Sequence, residues 1–226
     1  SAPDAASSFV GRDHARATLR ECLARAHGGR CAVAIVRRPA DIGKTRLTEV
    51  FVDEAQTSGW HALIGRCRDG EGVPAYWPWI QILRRLLEHP ELREEAESLT
   101  GCTQMIAGLI PELERTATGA DPERRSSAGA ESTEQSQFLF YDAVTRVLVR
   151  CARRRHIVFV LEDLQWAGAG ALRLLEHLLF EAASVGLLLI ATVRDQAWER
   201  GHPLIRMLSI LKQQNACEEI ALRGFS

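Results

Sequence analysis

The residues best suited to chemistry are Gly43, Lys44 and Thr45. They stand between an apolar run, Cys31-Ala32-Val33-Ala34-Ile35-Val36, and a helical pattern that continues to about Thr57. A strand, a turn and a helix opening on Gly-Lys-Thr is the context that a phosphate-binding P-loop requires. In such a loop the backbone N–H groups of Asp41, Ile42, Gly43 and Arg46 point at the phosphates. The Lys44 ammonium reaches the terminal phosphates and the Thr45 hydroxyl ligates magnesium. Of the 28 basic residues, only Lys44 and Lys212 are lysine. In a chain that defaults to arginine, a compact ammonium at the phosphate-reaching position points to a specific need for it.

A second constellation closes the run Ile157-Val158-Phe159-Val160-Leu161-Glu162-Asp163. A buried parallel strand ending in two acids is the Walker B arrangement. Glu162 is the candidate metal carboxylate, directly or through water, and Asp163 the group that polarises an attacking water. A third buried run, Leu187 to Val193, ends in Arg194-Asp195. Ligands of open parallel sheets sit beyond the carboxyl ends of the strands, so Arg194 is expected to face the same crevice as the P-loop.

The first motif is incomplete. Arg38 stands where the P-loop pattern has a glycine, whose freedom lets the strand turn tightly and the backbone approach the ligand. Asp41 tolerates left-handed backbone better than most residues, so the loop shape can survive. Its charge opposes the function more strongly. An anion about 6 Å from a phosphate costs roughly 2–3 kcal/mol at an effective dielectric near 20, on the order of a hundredfold in affinity. Arg37, Arg38 and Arg46 offset part of that if they point inward. Weak binding and slow or absent turnover are therefore expected, and two readings stay open: a weakened nucleotide switch, or a degenerate scaffold that no longer binds.

The remaining chain supplies the elements that position these groups. Residues 1–8 are small and polar and read as a flexible N-terminus. A helix is expected from Asp13 to about Ala26, with Leu19, Cys22, Leu23 and Ala26 on one face, stopped by Gly28-Gly29. Trp60 to Cys67 reads as a strand after the Gly59 stop. A loop follows, and Tyr76-Trp77-Pro78-Trp79 opens a helix to about Glu88 with Pro78 in its first turn; its aromatic cluster reads as core packing. Leu92 to Leu99 and Thr103 to Leu113 read as short helices. Residues 114–131 are small, polar and charged and read as a mobile insertion. A capping box at Ser132-Thr133-Glu134-Gln135 restarts helix to about Arg153. Arg153-Arg154-Arg155-His156 reads as a solvated connector. Helices at 169–183 and 203–213, and a last strand near Cys217 to Leu222, complete five strands.

The totals are those of an ordinary soluble domain, 46% hydrophobic and 25% charged. The net charge of −1 gives no general pull toward nucleic acid or anionic membrane. No apolar run approaches the roughly 18 residues needed to span a bilayer. Six cysteines are scattered without a C-x-x-C pair and read as small core residues; a reducing cytoplasm is the expected compartment.

The motifs Phe9-Val10-Gly11-Arg12, Gly43-Lys44-Thr45-Arg46-Leu47, Ala75-Tyr76-Trp77-Pro78-Trp79-Ile80, Leu161-Glu162-Asp163-Leu164-Gln165-Trp166-Ala167 and Ala191-Thr192-Val193-Arg194-Asp195 follow one another in an order that resembles one group. The chain is similar to the AAA/STAND-type ATPase domain of large bacterial signalling proteins, in which the module precedes helical repeats and is joined to a LuxR-type DNA-binding, cyclase or kinase domain. The resemblance implies an α/β P-loop NTPase fold of the ASCE/AAA-like kind, a three-layer sandwich with a parallel five-stranded sheet, spanning 9–226 as a piece of a longer protein. It also implies a switch using ATP and Mg2+, with Val10 and Arg12 by the adenine, Lys44 and Thr45 by the phosphates and metal, Glu162 and Asp163 at the metal and water, and Arg194 sensing the γ-phosphate. The implied partners are nucleotide, other domains of the same chain and further copies in a nucleotide-dependent association, with no direct nucleic-acid or membrane contact. Two departures stand out: both upstream loop glycines are replaced, and Trp166-Ala167-Gly168 lacks the acid that the group carries after its tryptophan.

Overall fold

Runs that are apolar at every position must be covered on both faces, and those runs form the centre of a five-stranded parallel sheet. The computed structural model describes residues 13–38, 46–70, 72–107, 134–194, 202–213 and 217–221. The strands are β1 (Ala32–Arg38), β2 (His61–Arg66), β3 (Ile157–Glu162), β4 (Leu187–Arg194) and β5 (Cys217–Ala221). Their spatial order is β2-β3-β4-β1-β5, and every neighbouring pair is parallel. All five carboxyl ends therefore lie along one edge. β3 and β4 are buried along almost their whole length, as expected of central parallel strands.

Among the described residues the helices, in chain order, are α1 (Asp13–His27), α2 (Arg46–Thr57), α3 (Trp77–Glu88), α4 (Pro90–Glu97), α5 (Thr100–Ala107), α6 (Glu134–Arg154), α7 (Ala169–Glu181) and α8 (Pro203–Gln213). Side chains alternate across the strands between two cores. Val158, Val160, Leu188 and Ile190 face α1 and α2, where Leu19, Phe51 and Val52 pack. Ile157, Phe159, Leu161, Leu187 and Leu189 face the larger layer built from α3 to α8. The three-layer α/β sandwich with its parallel sheet is thus the architecture expected from the sequence.

Most boundaries fall near their expected places. Gly29 and Gly59 take positive φ values of 82° and 84° where α1 and α2 stop. The aromatic cluster is core: Trp79 is 1% exposed, and its indole N–H donates to the Ala171 carbonyl at 3.0 Å. Both short helices begin a few residues earlier than expected, α4 because Pro90 opens its first turn and α5 at Thr100; residues 108–113 of the second expected helix lie outside the described residues. Four of the six cysteines are buried and all are free. The 1–8 terminus, the 114–131 insertion and Ser132-Thr133 of the capping box lie outside the described residues.

Candidate functional site

The carboxyl edge of the sheet gathers the acidic pair and the arginine. β3 delivers Glu162 at its last position and the chain turns at once. Asp163, with φ 54° and ψ 48°, is the only non-glycine residue with positive φ among the described residues. Aspartate is among the few side chains that tolerate this conformation, and the turn leads straight into a 3-10 helix, Leu164–Trp166. Next door, β4 ends at Arg194, and the β1–β4 register sets Arg38 directly opposite it. The strand that feeds the Gly-Lys-Thr segment thus ends beside Arg194, and α2 resumes at Arg46.

A small polar network holds Asp163 in place. Its backbone N–H donates to the Thr192 hydroxyl at 3.0 Å. The Gln165 amide donates to Asp163 Oδ1 at 3.1 Å, and Gln165 Oε1 accepts from the Arg194 backbone N–H at 3.2 Å. Arg194 Nε lies 3.6 Å from the same Oδ1, an ion pair beyond hydrogen-bond length, and its guanidinium sits 5.9 Å from the Trp166 ring centroid, within cation–π reach. Thr192 and Gln165 are 1% and 3% exposed. Sequence reasoning assigned neither of them a role. The signal was there: a threonine inside an otherwise aliphatic strand and a glutamine inside a buried turn are polar groups that need partners.

Glu162 has a different partner. Arg66, the residue opposite it in the β2–β3 register, donates Nε–H to Glu162 Oε2 at 2.6 Å. The Arg66 side chain is 57% exposed and that of Glu162 13%. Nearby, the Cys67 backbone N–H donates to the Glu162 carbonyl at 2.9 Å. Burial, reinforced by the Asp163 charge, pushes the Cys67 thiol up to about 12, so this cysteine is a neutral wall and no nucleophile.

Magnesium takes oxygen ligands, commonly one or two carboxylates with phosphate oxygens and water. Glu162 meets that requirement: Arg66 engages Oε2, and Oε1 is a second hard donor on the same group. The described residues hold no cluster of three or more His, Cys, Asp or Glu able to bind a metal. A cation at Glu162 would therefore need further oxygen ligands.

The structure brings together Glu162, Asp163 and Arg194. Val10, Arg12, Asp41, Ile42, Gly43, Lys44 and Thr45 lie outside the described residues, as does the Arg46 side chain, although its backbone opens α2. Arg37, expected to help offset Asp41, is paired with Glu219 of β5 at 3.9 Å. The second lysine, Lys212, is also held by Glu219, at 2.9 Å.

Comparison with known proteins adds to this geometry. A family model described as AAA ATPase domain matches residues 8–190. No curated protein matches the chain. Among solved structures, a chain in the structure of Drosophila ORC bound to AT-rich DNA and Cdc6 is 11% identical with a TM-score of 0.42, covering 98% of this chain and 61% of that one. A chain in the structure of Drosophila ORC bound to GC-rich DNA and Cdc6 is 10% identical with a TM-score of 0.42, covering 98% and 62%. The chain spans about three fifths of the length of both.

Proposed function

The chain belongs to the AAA ATPase domain family, a family of nucleotide-binding modules, and from that premise we propose that it is the ATP-operated switch of a cytoplasmic bacterial signalling or transcription-regulating protein. Its turnover is slow. The observation that carries this reading is the convergence of Glu162, Asp163 and Arg194 on the strand edge where β1 runs toward Gly43-Lys44-Thr45. Binding falls to Asp41 through Arg46, with Val10 and Arg12 beside the base. Bound magnesium would draw charge from the phosphates, held by Thr45 and Glu162. Asp163, fixed by Thr192 and Gln165, orients the attacking water and accepts its proton. Arg194, held to Asp163, turns toward a γ-phosphate when one is present.

A second reading, a non-hydrolysing scaffold, is favoured by one specific observation: both acids of the site already have cationic partners, Arg66 and Arg194. Reversal separates the two. ATP with magnesium is titrated into the parent and into the Arg38→Gly/Asp41→Gly double variant. A switch gives saturable binding in the parent, tightened on the order of a hundredfold in the variant once the Asp41 charge is gone. Binding that exists only in the variant identifies the scaffold.

A further inference from the structure

One cavity among the described residues is remote from the nucleotide edge. It encloses about 570 Å³ between the second half of α6, Leu99 and the end of α7, within the roughly 300–1,000 Å³ range of small-molecule sites. Arg146, Arg150, Arg153 and Arg154 line it, together with Thr145 and Val149. The arginine spacing of four, seven and eight residues puts all four on one helical face.

Part of this has a plain explanation. Arg153 and Arg154 stand in the last turn of α6, where cations complement the helix dipole. That account does not extend to Arg150 and Arg146, one and two turns earlier. The Thr145 residue is 1% exposed, and its hydroxyl is buried with no hydrogen-bond partner among the described residues.

The existing acids do not saturate the cluster. Glu95 accepts the Nε–H of Arg150 at 2.8 Å, which fixes the guanidinium plane and leaves that group's other N–H donors to serve a ligand. Asp142 lies 3.8 Å from Arg146 on the exposed face, and Glu181 is the one acid on the cavity wall. Four guanidinium groups against these three carboxylates leave a net positive mouth above an apolar wall of Leu99 and Val149.

We propose that this cavity binds a small organic oxyanion with an apolar body. The oxyanion head, carboxylate, sulfonate or phosphate, lies across the Arg146–Arg154 face, and the body packs on Leu99 and Val149. The proposal does not depend on nucleotide binding at the other edge of the sheet.

The test uses 8-anilino-1-naphthalenesulfonate, which combines an oxyanion with an apolar body, and its uncharged analogue N-phenyl-1-naphthylamine. Fluorescence titration of the parent is expected to saturate at one site, with the neutral probe binding about tenfold more weakly. Arg146→Ala/Arg154→Ala, which alters two exposed side chains and spares the Arg150–Glu95 pair, is expected to weaken the sulfonate by about tenfold or more, with the neutral probe unchanged. Phe180→Ser, on a separate exposed apolar patch (Phe180 is 76% exposed), leaves binding intact. The proposal is overturned if the parent shows no saturable binding, if the arginine variant binds the sulfonate as the parent does, or if Phe180→Ser abolishes binding.

Discussion

Arg66 and Glu162 sit at matching positions of two neighbouring parallel strands, and Arg66 Nε–H donates to Glu162 Oε2 at 2.6 Å. The carboxylate best placed for a metal is therefore already neutralised by a cation from β2. Any divalent ion arriving at this edge has to share that carboxylate or displace the arginine.

Arg66→Ala tests that competition. The pair is more than half exposed on the arginine side, so its loss is expected to change unfolding free energy by no more than about 1 kcal/mol. The magnesium concentration that half-saturates ATP binding is expected to fall by up to roughly fivefold. Magnesium-dependent nucleotide titrations, with a denaturant melt as the folding control, read both quantities. A rise in that magnesium requirement would show that Arg66 assists the site.

Gly65→Ala is expected to destabilise the fold by about 1–3 kcal/mol. A Cβ at Gly65 would collide with the Pro78 backbone carbonyl, because the end of β2 and the first turn of α3 approach backbone to backbone. Chemical denaturation checks the value. An unchanged midpoint would mean that α3 can back away from β2 without loss.

Trp79→Phe removes an indole that is 1% exposed and donates to Ala171. A loss of roughly 1–3 kcal/mol is expected from the missing volume and hydrogen bond, again by denaturation.

How much of this was legible in the sequence depends on the range of the interaction. β3 and β4 declared themselves because uniformly apolar runs such as Ile157–Leu161 can only be covered on both faces. Trp79 was readable as core from the aromatic cluster around Pro78. The Arg66–Glu162 pair was not, because it joins residues far apart in the chain and depends on a strand order and register that periodicity does not encode. Gly65 was missed for the same reason, since its neighbour Pro78 reaches it only through the packing of α3. Asp163 was chosen for its acid, but its left-handed turn, and the Thr192 and Gln165 groups that hold it, follow from the tertiary contact of β3 with β4.

Stability should depend on pH through His61. Burial disfavours its charged form, with His89 and Arg155 adding to the effect and Glu91, 3.3 Å away, opposing it; the net result is a folded-state value below the usual histidine range. His156 is lowered as well, by burial and by His27. A histidine with a lowered folded value binds its proton more readily when unfolded, so unfolding takes up protons and stability is lost as the pH is lowered. The loss starts near the ordinary histidine value of about 6.5 and levels off once pH is below the folded values. Thermal melts of the parent between neutral and mildly acidic pH should show this decline, and His61→Asn should flatten it. A decline of equal slope in the variant would assign the dependence to other groups.

The account turns on whether Gly43-Lys44-Thr45 still grips a polyphosphate with Asp41 in its loop. Calorimetric titration of the chain with ATP, with and without magnesium, measures this directly, beside the Lys44→Ala variant. The account predicts saturable, magnesium-enhanced binding that weakens by at least about tenfold in Lys44→Ala, the scale of losing one charge-assisted phosphate contact. No saturable binding at millimolar ATP, or equal affinity in Lys44→Ala, would contradict it.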